Sequence, residues 1–134
     1  MKTNETMGSL LNREGDEHRW VSNGHACYAR RSPTTGVWCG YVGVPPGHPW
    51  HGLSYWTDDF QSVKVHGGIT YTGSDPNENG QELFWVGFDC AHHSDVMPYM
   101  PFRMPRSRYI PLAQVKEWTN GLAKQARAAG MVVT

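Results

Sequence analysis

The run Leu83-Phe84-Trp85-Val86-Gly87-Phe88 constrains the fold most. It has no charged or hydrogen-bonding member apart from the indole and no alternation, and it leads directly into Asp89-Cys90. A strand with one wet face alternates, so this run predicts a strand covered on both faces. The rest of the chain must then supply something to lie on each side of it.

One long helix is the evident cover. Leu112, Val115, Trp118 or Thr119, Leu122, Ala126 and Ala129 recur at spacings of three and four, with Pro111 near the first turn and Gly130 at the end. Gln114, Lys116, Glu117, Lys124, Gln125 and Arg127 fill the other face. Core packing is the expected role of Trp118 and Leu122.

Further strands precede the apolar run. Ala26 to Arg31 and Val37 to Val44 flank the link Ser32-Pro33-Thr34-Thr35-Gly36 and read as a β-hairpin. Pairing Arg31 with Val37 sets Cys27 diagonal to Cys39 on one face and puts Trp38, Val42 and Val44 on the other; a slip of one residue exchanges the faces. Val63 to Thr72 is the next strand candidate, interrupted by Gly67-Gly68, and Gly73 to Gln81 reads as a polar turn region. Between them, Pro45-Pro46-Gly47-His48-Pro49-Trp50-His51-Gly52 excludes regular structure. An ordered loop of this kind needs side chains that anchor it against its entropy cost. Thr57-Asp58-Asp59 suggests a single helical turn, and Met97 to Arg106 reads as an extended, proline-punctuated crossover.

The fold expected is therefore α+β: a small antiparallel or mixed sheet of about four strands with a long C-terminal helix packed on it. Residues 1–18 show no sustained period and read as a flexible N-terminal arm, leaving 19–134 as a single domain. With 15 Gly, 9 Pro and 6 Trp in 134 residues, much of that domain is loop tied down by large rings.

Charge and cysteine content narrow the function classes. Twelve basic residues balance twelve acidic ones, without the basic excess of proteins that grip long nucleic acid through its phosphates, so long nucleic acid is not the expected partner. Three cysteines, Cys27, Cys39 and Cys90, cannot all pair, and the polar start of the chain has no signal-peptide pattern; a cytoplasmic protein is expected, with no membrane association.

The densest chemistry lies just after the apolar strand, where Asp89-Cys90-Ala91-His92-His93-Ser94-Asp95 gathers two carboxylates, a thiol and two imidazoles. A strand end presents such residues in fixed positions. His66, on the neighbouring strand candidate, is expected to face Asp89, His92 and Asp95. This set supports three chemistries: a divalent metal such as Zn held by His66, Asp89, His92 and Asp95; an imidazole base oriented by a carboxylate; or a Cys90 thiolate nucleophile. No specific metal spacing is present, and a buried, inert Cys90 is the simpler reading. Gly67 and Gly68 would let a ligand approach the backbone, Trp50 and Tyr71 would stack a ring, and Arg103 and Arg106 would receive an anion. The readings that follow are a hydrolase acting on a small phosphorylated or nucleotide-like ligand, a non-catalytic protein that binds or sequesters a nucleotide, and a structural or partner-protein adaptor.

His66-Gly67-Gly68-Ile69-Thr70-Tyr71 followed by Trp85-Val86-Gly87-Phe88-Asp89-Cys90-Ala91-His92 and Asp95, with Gly40-Tyr41-Val42-Gly43-Val44-Pro45 and His48-Pro49-Trp50 upstream, resembles a small family of proteins from bacteriophages and prophage-bearing bacterial genomes. The resemblance spans about residues 25–129. It implies a phage origin, hence a host-cytoplasm setting, and that the two motifs belong together, with His92 and Asp95 sharing a role and His93 and Ser94 loosely specified. It implies no mechanism.

Overall fold

Two consecutive residues with positive φ, Asn23 (52°) and Gly24 (77°), close the first hairpin of the structure, a computed structural model that describes residues 6–77, 79–91, 95–100 and 108–131. Asn-Gly is the pair that tolerates this backbone most readily, and it joins β1 (Glu17–Ser22) to β2 (His25–Arg31) with Ser22 opposite His25. β3 (Trp38–Val44), β4 (Tyr71–Pro76) and β5 (Glu82–Asp89) complete a five-stranded, wholly antiparallel sheet in the order β1-β2-β3-β5-β4. The helix α2 (Leu112–Gly130) packs on one face through Leu112, Val115, Thr119, Leu122, Ala123 and Ala126, so the architecture is α+β, as expected, with five strands rather than about four.

The extra strand, β1, begins at the end of the stretch expected to be a loose arm and runs on into residues 19–22. Met7–Glu14 is the helix α1, its first turn capped by the Thr6 hydroxyl, and β1 begins at Glu17. Glu14 and Arg31 are both buried and lie 3.1 Å apart. The two Glu14 carboxylate oxygens also accept from the Leu112 backbone N–H at 2.6 Å, the Trp38 indole N–H at 3.4 Å and the Tyr109 hydroxyl. Arg31 donates to the carbonyls of Gly15 and Gly36 and to Tyr109, and its guanidinium lies over the Trp38 ring. Thus α1 is bound into the interior by a buried charge network, and Glu14 caps α2, whose own N-cap, Pro111, offers no side-chain cap.

The β2–β3 register is one residue away from the expected pairing. Arg31 lies opposite Trp38, which puts Cys27 opposite Val42 and Arg30 opposite Cys39. Cys27, Ala29, Trp38, Val42 and Val44 therefore share the buried, helix-covered face, while Tyr28, Cys39 and Tyr41 lie on the opposite one. Val63 to Ile69 is not strand; β4 starts at Tyr71 and runs into the supposed turn region, which shrinks to Asn77–Gln81.

α2 approaches the sheet closely at Gly40. A methyl group there would lie 2.4 Å from the Thr119 hydroxyl oxygen and 2.6 Å from the Phe88 ring, and Thr119 and Phe88 are both fully buried. Gly40→Ala is expected to destabilise the protein by about 1–3 kcal/mol through overpacking. An unchanged midpoint in urea denaturation would contradict this close approach.

The proline-rich segment 45–70 covers the rest of the helix face. His48 bonds the Ala126 carbonyl through Nε2 at 2.7 Å and accepts from the Trp50 N–H through Nδ1, while Trp50 and Phe60 pack edge to face within the core. The Gln125 amide holds Lys64 in both directions, donating to its carbonyl and accepting from its N–H. The expected helical turn is a 3₁₀ turn at Asp58–Phe60. Among the described residues no helix is long and apolar enough to cross a membrane.

Candidate functional site

His66 occupies a turn, not a strand. The Gly68 N–H bonds the Val65 carbonyl at 2.9 Å, and Gly67 and Gly68 have φ of 69° and 81°. The glycine pair is therefore explained by a sharp bend that ordinary residues adopt only with strain. A methyl group at Gly68 would meet nothing within 4 Å.

This turn delivers the imidazole to Asp95. Their Nε2 and Oδ2 atoms are 2.8 Å apart, with the Asp95 side chain 2% exposed and that of His66 22% exposed. The ring lies flat on Trp118 of α2, centroids 4.3 Å apart and planes 6° from parallel, and Trp118 in turn meets the edge of Phe88. Asp95 is fixed through its backbone by a parallel bridge to Arg108, next to the bond from the Val96 N–H to the Arg108 carbonyl. An indole beneath the ring, a buried carboxylate at one nitrogen and partial exposure of the remainder restrain the ring's orientation while keeping it within reach of solvent.

The other expected members are distributed differently. Asp89 sits opposite Cys39, on the sheet face of Trp85 and Gly87, and its carboxylate accepts from the Ala91 N–H at 3.0 Å, forming an Asx turn. Strand alternation thus directs Asp89 away from the face on which Phe88 and Trp118 support His66. Trp50, expected to stack a ligand, is 5% exposed and belongs to the core. Tyr71 is 45% exposed, on the opposite sheet face from α2. His92, Arg103 and Arg106 lie outside the described residues. Trp118 packs against the core, as its helical spacing predicts, and also carries the His66 ring, a second role that the spacing does not reveal.

The three thiols are poor nucleophiles. Burial raises Cys90 far above an ordinary thiol, with the Asp95 charge adding to it; burial also raises Cys39 and pushes Cys27 up to about 11. At neutral pH they are protonated, which removes the support for a Cys90 thiolate. Among the described residues no three His, Cys, Asp or Glu side chains gather as a metal-binding group.

The face of the sheet away from α2 carries a second arrangement. Arg19, Tyr28, Tyr41, Gly87 and Tyr71 stand opposite one another in a single row across all five strands. Arg19 lies 4.2 Å over the Tyr28 ring, Tyr28 stacks on Tyr41, and Tyr71 meets Tyr41 edge to face. Beside this row lies a cleft of about 260 Å³ that Arg30, Trp85 and Asp75 also line. Compared with known protein families, curated proteins and solved structures, the chain matches none.

Proposed function

We propose that the protein is a hydrolase of a small phosphorylated, nucleotide-like substrate, with His66 as general base and Asp95 as the residue that positions it. The observation that carries this reading is the 2.8 Å contact between a partly exposed imidazole and a buried carboxylate. In the tautomer that donates Nε2–H to Asp95, the imidazole has its lone pair on Nδ1. That nitrogen takes a proton from water as the water oxygen bonds to phosphorus, and the departing oxygen leaves with a proton returned from the ring. The backbone bridge to Asp95 brings one cationic residue, Arg108, next to it in the chain pairing, which suits an anionic substrate. The resemblance of the two motifs to phage and prophage proteins also favours reading them as one site.

The test is turnover of a panel of nucleoside mono-, di- and triphosphates, followed by chromatography of the products, for the wild type and for His66→Gln. Turnover by the wild type that collapses in a folded variant is the expected result. Equal rates in the two proteins, or no turnover of any member of the panel, would overturn the proposal.

A further inference from the structure

We propose that the open face of the sheet is a separate binding site for a nucleoside monophosphate, one flat heteroaromatic ring carrying one phosphate. The inference is independent of catalysis at His66, because strand alternation puts the two sites on opposite faces of the sheet.

The site begins with two glycines. Gly87 stands between Tyr41 and Tyr71 in the cross-strand row, and a methyl group there would lie 2.4 Å from the Tyr41 ring; at Gly43, on the same face, a methyl group would lie 3.1 Å from the Trp85 ring, so this glycine makes room in the same way. Rings that would otherwise stand on the sheet can therefore lean across it. Each is also anchored: the Trp85 indole N–H donates to the Asp75 carbonyl at 3.0 Å, and the Tyr28 hydroxyl donates to Glu17 at 2.8 Å. The result is a row of oriented aromatic surfaces whose outer member, Tyr71, is 45% exposed, beside a cleft of about 260 Å³. Sites for small molecules run from roughly 300 Å³ upward, so this cleft suits one ring system and its substituents and not a longer chain. Flat rings stack on such surfaces with little regard to which base they carry.

The charges on this face are unevenly arranged. Arg19 and Arg30 are exposed on β1 and β2, one directly opposite Tyr28 and the other two residues along the same strand. Their opposing charges are Glu17, directly opposite Arg30 and also bonded to the Tyr28 hydroxyl, Asp89 in the row of Arg30 and Cys39, and Asp75 on the far strand β4, so a phosphate has to compete with Glu17 for Arg30. A ligand with its ring against the exposed Tyr71 and its phosphate toward β2 meets the Arg30 guanidinium fork and points its charge away from Asp75.

The experiment is a calorimetric titration of the full chain with AMP, with adenosine and inorganic phosphate as the single-component probes. AMP is expected to bind more tightly than either. Arg30→Gln and Tyr71→Ala should each weaken AMP about tenfold, as loss of a guanidinium contact or of one stacking surface does, and His66→Gln should leave it unchanged. Arg19→Gln is an independent second test of the cationic end should Arg30→Gln fail to fold. The proposal is overturned by an absence of binding at millimolar AMP. It is equally overturned if phosphate alone binds as well as AMP, or if affinity falls in His66→Gln but not in the variants of the open face.

Discussion

Glu14→Ala is expected to lower folding stability by about 3–5 kcal/mol, because it leaves the buried guanidinium of Arg31 with only the exposed carboxylate of Asp16, 3.6 Å from its Nε. The same change removes the acceptor for the first N–H of α2 at Leu112 and for the Trp38 indole. It also removes the partner of the Tyr109 phenol, which burial and that hydrogen bond push up to about 12, so that it remains a donor at neutral pH. Glu14→Gln retains the shape but not the charge and should cost less. Arg31→Met combined with Glu14→Gln should cost less than the two single changes added together, since no isolated charge remains inside. Guanidinium denaturation of the four variants measures each value. If Glu14→Ala falls within about 0.5 kcal/mol of wild type, the ordinary range for a surface change, then residues 1–18 behave as the loose arm that their sequence pattern suggests.

The N-terminal residues fold without a pattern that the sequence alone displays. The apolar run 83–88 and the three-and-four spacing of 112–129 identify β5 and α2 because burial imposes those patterns directly. α1 has only eight residues and is held chiefly by one buried ion pair to a residue 17 positions away, which leaves no periodic trace. β1 does leave a trace in the sequence: Asn23-Gly24 between Trp20 and His25 is a strong short-range hairpin signal. The β2–β3 register slipped because five link residues permit more than one pairing, and Gly40, which admits α2, looks the same in sequence as the glycines of the opposite face. For the site, the juxtaposition of His66 with Asp95 was legible from two polar motifs beside strands. The mechanism that creates it was not, since His66 arrives on a glycine turn after a long loop held to α2 by His48 and Gln125. Exposure cannot be read from a Pro-Trp-His loop, and the Trp50 ring, which the sequence offers as a ligand contact, is one of the loop's anchors in the core.

If the proposed hydrolysis is right, His66→Gln is expected to reduce turnover of a phosphorylated substrate by about 10²- to 10⁴-fold, the usual contribution of a positioned base. Glutamine approximates the reach of the ring without being able to accept the proton, so substrate binding should change less than the rate. Asp95→Asn is the companion change, and it separates a positioning role from a structural one. The buried carboxylate only accepts, and so selects the tautomer with the proton on Nε2; an amide can donate as well, and this selection is lost. Ring-nitrogen NMR shifts of His66 should therefore report protonated Nε2 in the neutral wild-type ring and a mixture of tautomers in Asp95→Asn, accompanied by a fall in kcat larger than any change in KM. A purely structural Asp95 would lower stability while leaving the tautomer of the folded fraction unaltered. A wild-type ring carrying its proton on Nδ1 would remove the lone pair from the nitrogen assigned to water, and general-base catalysis by His66 would then be excluded whatever the turnover measurements gave.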